Sequence, residues 1–80
     1  MSTHADLSDS LVKVIKRRRV AKKVTMYRIA KLCGLDKSTL GKLEAGKRVP
    51  SVDTADRIAR ALGTSLSRIV KEAENLRGNK

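Results

Sequence analysis

Two runs of apolar residues at helical spacing, separated by one glycine, constrain the fold of this chain more than any other feature. The run before Gly34 is Ile29, Ala30, Leu32 and Cys33, and the run after it is Leu40 and Leu43. Gly34 favours the left-handed conformation that ends a helix. Asp36 is a good N-cap for the next helix, because its carboxylate accepts bonds from free N–H groups. The spacing therefore predicts two short helices joined by a tight turn.

The second of these helices has an outer face of small and basic residues. Leu40 and Leu43 define its inner side, and the outward positions are Lys37, Ser38, Gly41, Lys42 and Ala45. A face of this kind fits the major groove of B-DNA. Gly41 costs about 1 kcal/mol relative to Ala in a helix interior. Our hypothesis is that Gly41 lets the helix approach a base-pair edge or a thymine methyl group; the alternative is a tolerated glycine without a role.

Composition agrees with a small helical domain. Eighty residues with 40% hydrophobic content form one domain that has no room for an enzyme-sized cavity. Tyr27 is the sole aromatic residue, so the core must be built from Leu, Ile, Val and Ala. No alternating apolar pattern and no paired turn signals indicate strands. We predict an all-α fold.

The charge of the chain indicates a polyanionic partner. Nineteen Lys and Arg residues against eight Asp and Glu residues give a net charge of +11. Membrane surfaces also attract basic chains, but the sequence lacks the aromatic residues of an interfacial helix and any run of about 20 apolar residues. Its first residues contain no hydrophobic signal core. We predict a protein of the bacterial cytoplasm or nucleoid, with no membrane partner and no small-molecule ligand.

Patterns for catalysis or metal binding are missing from the sequence. His4 is isolated, the carboxylates are not clustered, and Cys33 is the sole cysteine, predicted to be a buried structural thiol. No nucleophile can be paired with a neighbouring base. We therefore predict no enzymatic activity, no cofactor and no metal site.

The other helices follow from apolar spacing and capping residues. Helix one is predicted from about residue 7 to 21, with Leu11, Val12, Ile15 and Val20 on a common side. The predicted N-caps of helices two, four and five are Thr25, Ser51 and Ser65. The predicted domain spans residues 7–76, between flexible residues 1–6 and 77–80.

A series of residues in fixed order and register covers most of the chain, from about residue 11 to 74. They are Ile29-Ala30, Gly34, Ser38-Thr39-Leu40, Leu43-Glu44, Gly46-Lys47 and Pro50, followed by residues 51–62, Gly63-Thr64-Ser65-Leu66 and Ile69. This series resembles the phage-repressor-like family of regulators, also called the Cro/CI or XRE family. The resemblance implies a five-helix, lambda-repressor-like DNA-binding domain in which helices two and three form a helix-turn-helix. It also implies a sequence-specific transcriptional regulator that binds double-stranded DNA as a homodimer on a pseudo-palindromic operator; the sequence does not choose between a repressor and an activator.

Small stand-alone members of this family include restriction-modification controller proteins, phage and plasmid repressors, and antitoxins. The sequence does not choose among these systems. An antitoxin or adaptor that binds a protein partner and autoregulates through DNA binding is the alternative function. Non-specific nucleoid or RNA binding would fit the charge but leaves the turn chemistry unexplained.

The resemblance also assigns the residues that contact DNA. The base-reading positions of the family correspond to Lys37, Ser38 and Lys42, to which our hypothesis above adds Gly41. The loop residues Lys47 and Arg48 correspond to contacts with the DNA backbone.

A phosphate contact of the family is replaced in this chain. Where the family commonly has a Gln that bonds a phosphate, the residue here is Met26. Tyr27 and Arg28 can supply that contact with a hydroxyl or a guanidinium group; the alternative is that both are surface residues without this role. Thr39 completes the predicted phosphate-binding set.

Arg19 lies on the predicted inner side of helix one, next to Ile15. A guanidinium that faces a core needs an acidic partner, and Glu44 on the inner face of helix three is the candidate. In the family, an Arg of helix one and the Glu that ends the recognition helix form such a pair, which implies the pair Arg19 and Glu44. The alternative is that both side chains extend to water.

Helix five carries an apolar stripe that is long for a helix closing so small a core: Leu66, Ile69, Val70, Ala73 and Leu76. Its outer part is our predicted dimer interface, formed by Ile69, Val70 and Ala73. The alternative is that the whole stripe belongs to the core of one chain.

Overall fold

The computed structural model describes residues 7–78, which form five helices. They are α1 (Leu7–Ala21), α2 (Met26–Cys33), α3 (Lys37–Glu44), α4 (Val52–Ala61) and α5 (Leu66–Gly78). No strand occurs between residues 7 and 78, and the all-α, five-helix prediction is confirmed. The prediction of a flexible tail at 77–80 is wrong for residues 77 and 78, because α5 continues through Arg77 to Gly78. The segment 1–6 and the last two residues lie outside the described part of the chain.

The connections after α1, α2, α3 and α4 share one turn geometry. Each contains a residue with positive φ, namely Lys23, Gly34, Gly46 and Gly63. In the turn after α2, the N–H of Leu35 donates to the carbonyl of Ala30 at 2.8 Å. The N–H of Gly34 donates to the carbonyl of Lys31 at 3.4 Å. These two bonds satisfy carbonyls that the helix end would otherwise leave free, so α2 stops and α3 starts within a few residues.

A side-chain oxygen caps the first turn of each helix from α2 to α5. The hydroxyl of Thr25 accepts from the N–H of Arg28 at 3.1 Å, and the hydroxyl of Ser51 accepts from the N–H of Thr54 at 3.1 Å. Asp36 and Ser65 make the corresponding bonds for α3 and α5. The four predicted N-caps are therefore present, and they fix where these helices begin.

The core is aliphatic and joins all five helices. Its buried residues include Val14, Ile15, Ile29, Leu40, Leu43, Ile58, Leu62 and Ile69. Helix α1 packs against both α3 and α5, and α4 packs against α2 and α5. This arrangement holds the short α3 from behind and leaves its other side open to solvent.

Two apolar residues that we predicted to face inward are exposed. Val20 has 56% and Leu32 has 55% of its surface exposed, whereas Val14, which we did not assign, is fully buried. Because α1 contacts both α3 and α5, its buried face is wide and includes Val12, Val14 and Ile15. Val20 is turned away from both. Leu32 precedes the buried Cys33 and is turned by about 100° from it around the helix axis.

The prediction that Ile69 and Ala73 form a dimer interface is wrong. Both residues have 0% of their surface exposed within the single chain. Without large aromatic residues, the core takes its volume from α5, which packs against α1 and α4. Val70, the third residue of the predicted interface, is half-buried. It is the member of this set that remains accessible to a partner.

Candidate nucleic-acid interface

Helix α3 presents one side to the core and the other to solvent. Leu40 and Leu43 are buried behind it. The predicted base-reading residues Lys37, Ser38 and Lys42 are exposed on the opposite side, together with Ala45. A two-turn helix with this face outward has the dimensions that a major groove admits.

Gly41 lies among these residues in the middle of α3, and its surface is half-buried. A Cβ atom added to Gly41 would meet nothing within 4 Å, and its φ is not in the left-handed region. Neither packing nor backbone conformation within the described chain therefore requires glycine at this position. The folded monomer itself would accept an alanine at Gly41.

Asp36 fixes the start of α3. Its carboxylate oxygen Oδ1 accepts from the N–H of Thr39 at 3.0 Å. This hydrogen bonding lowers the pKa of the exposed Asp36 carboxyl below its ordinary value, so the cap is charged at neutral pH. Because the N–H of Thr39 is used by this cap, only the hydroxyl of Thr39 remains for the phosphate contact that we predicted.

The other end of α3 is held by a guanidinium group. Arg19 donates from Nε to Oε2 of Glu44 at 2.6 Å and from Nη2 to Oε1 at 3.0 Å. Only 14% of the Arg19 side chain and 7% of the Glu44 side chain are exposed. Two parallel bonds of this kind fix orientation as well as distance. The pair inferred from the sequence is therefore present in the structure.

Arg19 makes a third contact that sequence reasoning missed. Its Nη1 donates to the backbone carbonyl of Val24 at 2.8 Å. Val24 closes the turn after α1, where its own N–H donates to the carbonyl of Arg19 at 3.1 Å. One side chain thus connects the turn before α2 with the last residue of α3. The sequence carries no signal for this contact, because the turn has a lysine, Lys23, at the positive φ where glycine or asparagine would mark a helix end.

The predicted phosphate-binding residues lie at the two flanks of α3. Tyr27 and Arg28 are exposed in the first turn of α2, and Lys47 and Arg48 are exposed in the connection from α3 to α4. Met26 is half-buried and packs against the core, so the residue at the family's phosphate-bonding position makes apolar contacts instead.

A recess between α2 and the start of α3 was not predicted from the sequence. It has a volume of about 220 Å³ and is lined by Tyr27, Ala30, Lys31, Leu35 and Lys37. The ammonium nitrogen of Lys31 lies 5.7 Å from the centroid of the Tyr27 ring. Lys31 is therefore a further cation beside the recognition helix.

Cys33 has the environment of a structural thiol. It is buried, and burial raises the pKa of its thiol, with partial compensation by the nearby positive charge of Arg57. Within residues 7–78, no three His, Cys, Asp or Glu side chains are grouped so that they could hold a metal ion. The same residues contain no helix long and apolar enough to span a membrane. His4, which we predicted to be isolated, lies outside the described residues.

Comparison with known proteins agrees with this geometry. A sequence model of the helix-turn-helix family matches residues 15–69, which is more than half of the chain. The chain therefore belongs to the helix-turn-helix family, of the XRE type, as the resemblance implied. Its class is that of DNA-binding transcriptional regulators. Comparison with curated proteins gives no significant match.

Solved structures of regulators share the fold. The restriction-modification controller protein C.AhdI from Aeromonas hydrophila is 30% identical, with a TM-score of 0.74 over 82% of this chain and 98% of that one. The clp gene regulator ClgR from Corynebacterium glutamicum is 25% identical, with a TM-score of 0.84 over 90% of this chain and 77% of that one. A mutant of the restriction-modification controller protein C.Esp1396I, at 22% identity, shares the fold with a TM-score of 0.81 over 86% of this chain and 90% of that one.

Proposed function

We propose that this protein is a sequence-specific regulator that binds an operator as a homodimer and inserts α3 into the major groove of each half-site. The observation that carries the proposal is the outer face of α3, where Lys37, Ser38 and Lys42 are exposed together. The two ends of this helix are held by the Asp36 cap and by the pair of Arg19 with Glu44. A recognition helix fixed at both ends loses little conformational entropy when it docks.

We assign base readout and backbone binding to different residues. Lys37 and Lys42 can donate to O6 and N7 of guanine, and Ser38 can bond to several bases. Phosphates are bound by Tyr27, Arg28, Thr39, Lys47 and Arg48. Three of these five are charged, so in a dimer they neutralise about six phosphates, and these residues alone should contribute about −5 to the slope of log K against log salt.

The dimer interface that we now propose is the apolar groove lined by Leu7, Ser8, Leu11, Pro50, Ser51, Val52, Ala55, Leu66 and Val70. No charged residue lines this groove, and its lining residue Val52 is 74% exposed. Two copies that each carry +11 repel one another, so an uncharged apolar face is where they meet at the lowest electrostatic cost. Val70, the one accessible residue of the interface predicted from the sequence, lines this groove.

A dimer is needed because one helix of this length reads few base pairs. Two-fold symmetry of the protein requires a pseudo-palindromic operator with half-sites one helical turn apart, about 34–36 Å. We expect such a regulator in the compartment that holds the DNA, the cytoplasm or nucleoid.

The proposal is tested by selecting duplexes from a randomised pool with the purified protein and footprinting the DNA upstream of its own gene. We expect a two-fold related motif. Lys42→Ala should change which bases are selected, whereas Lys47→Ala should weaken all sequences alike and reduce the salt slope by about 2 per dimer. Recovery of no common motif would contradict sequence-specific binding, and identical effects of the two variants would contradict our division of roles.

The interface is tested by Val52→Asp, with Val20→Asp as a matched control at another exposed valine. Both residues are exposed in the single chain, so neither change creates a buried charge in the monomer. We expect sedimentation equilibrium to show that Val52→Asp is monomeric and that Val20→Asp remains dimeric. Val52→Asp should also lose binding to an operator with two half-sites. Dimers of Val52→Asp at wild-type strength would remove the groove from the interface.

A further inference from the structure

We infer that Tyr27 and Lys31 form a clamp for the sugar–phosphate backbone of the operator strand that passes Lys37 at the start of α3. This inference rests on the proposed function and extends it to a residue, Lys31, and to a binding mode, the face of the Tyr27 ring. The sequence had assigned Tyr27 to phosphate only through its hydroxyl group.

The first step is the arrangement of Tyr27 and Lys31 on α2. These residues are four positions apart and therefore lie on one side of the helix. The Nζ atom of Lys31 lies 5.7 Å from the ring centroid of Tyr27, within the range in which a cation is attracted to an aromatic face. The contact favours an orientation of the exposed ring in which the cation lies over its face.

The second step is the recess that this pair borders. Ala30 is buried and Leu35 is half-buried, and they contribute an apolar surface to it, while Lys37 contributes a second ammonium group. No acidic side chain lines the recess. Asp36 lies between two lining residues in sequence, but its carboxylate is engaged with the N–H of Thr39.

The third step concerns which molecule has matching chemistry. A DNA strand alternates phosphates with deoxyribose rings, whose C–H groups are apolar. The recess combines the ammonium group of Lys31 with an aromatic and aliphatic surface, so both the phosphates and the sugars of the strand have a partner. Lys37 is also the first residue of α3, so a duplex whose bases reach α3 carries its backbone past this edge. Continuity with the recognition helix favours the operator over a free anion.

The experiment measures the salt dependence of binding to the duplex selected by the wild-type protein. Lys31→Ala is compared with Lys71→Ala, which removes the same charge from an exposed position of α5. Because a dimer loses two phosphate contacts, we expect Lys31→Ala to reduce the slope of log K against log salt by about 2. At 0.15 M salt this corresponds to binding weaker by about 30-fold. Lys71→Ala should leave the slope near the wild-type value.

Tyr27 variants separate the ring face from the hydroxyl group. Tyr27→Phe keeps the ring face and loses only the hydroxyl contact, whereas Tyr27→Leu loses both, so Tyr27→Leu should bind at least about fivefold more weakly than Tyr27→Phe. Circular dichroism spectra of all variants check that α2 is intact.

The outcomes distinguish this inference from the proposed function. If Lys31→Ala and Lys71→Ala give the same slope and affinity while the wild type binds its selected motif, the clamp is refuted and the operator proposal stands. If Tyr27→Phe is as weak as Tyr27→Leu, the hydroxyl group binds phosphate and the ring face has no role. Failure of the wild type to prefer any duplex would refute the proposed function itself.

Discussion

Gly41→Ala should make the protein more stable and at the same time a weaker DNA binder. A helix interior favours Ala over Gly by about 1 kcal/mol, largely because the unfolded chain with Gly has more conformations to lose. Since an added Cβ meets nothing within 4 Å, no steric term opposes this gain. The free energy of unfolding, measured in urea, should therefore rise by about 1 kcal/mol.

The expected loss of affinity follows from the position of Gly41 on the outer face of α3. If Gly41 permits a close approach to base edges, a methyl group there displaces the helix and weakens at least one base contact in each half-site. At about 1–3 kcal/mol for each contact, the operator affinity of the dimer should fall by about 30-fold or more. Fluorescence anisotropy with the selected operator measures this change.

Asn75→Ala is the matched control for this experiment. Asn75 is an exposed position of α5, and its replacement should also stabilise a helix, by about 0.5 kcal/mol, without changing affinity. If Gly41→Ala is more stable but binds with wild-type affinity, the close-approach hypothesis is refuted and Gly41 is a tolerated glycine. A decrease in stability would refute the assumption that the monomer has room for the methyl group.

Three further predictions concern the elements that hold the recognition helix. Glu44→Ala should lower the free energy of unfolding, measured in urea, by about 3 kcal/mol, because it leaves the largely buried Arg19 cation unpaired. The double variant Arg19→Met with Glu44→Leu should recover most of this stability. If Glu44→Ala loses less than about 1 kcal/mol, the pair acts like a surface ion pair. Lys23→Gly should stabilise the chain by about 1 kcal/mol, because Lys23 has a φ of 59°; an unchanged urea midpoint would indicate that the turn is not strained. Asp36 has a lowered pKa in the folded state, so its contribution to stability is complete above the ordinary carboxyl pKa and is lost as the pH falls through the lowered one. Asp36→Asn keeps a capping oxygen and should show a weaker loss of stability in acid, and parallel acid profiles of the two proteins would contradict this cause.

Local chemistry explains why much of the fold could be predicted. The N-caps Thr25, Asp36, Ser51 and Ser65 act within three residues of themselves, and Gly34 acts within its own turn. These interactions do not depend on distant parts of the chain, so the sequence contains them in full. The division of α3 into an inner side and an outer side is equally local, because it follows from the helical period.

Tertiary contacts decided what the sequence left open. A long apolar stripe on α5 can cover a core or a partner, and only its position against α1 and α4 placed Ile69 and Ala73 inside the single chain. The number of neighbours of α1 likewise decided that Val14 is buried and Val20 exposed.

The candidate DNA interface divides in the same way. The sequence by itself determined where α3 begins and which of its residues point outward, because capping and helical period require only residue type and spacing. It offered Glu44 as a candidate partner of Arg19, and the packing of α1 against α3 decided that the two side chains meet. Only the tertiary structure decided that Arg19 also holds the carbonyl of Val24 and that Tyr27, Lys31 and Lys37 border one recess. Such contacts depend on the distance and angle between elements, which are set by the packing of the whole core.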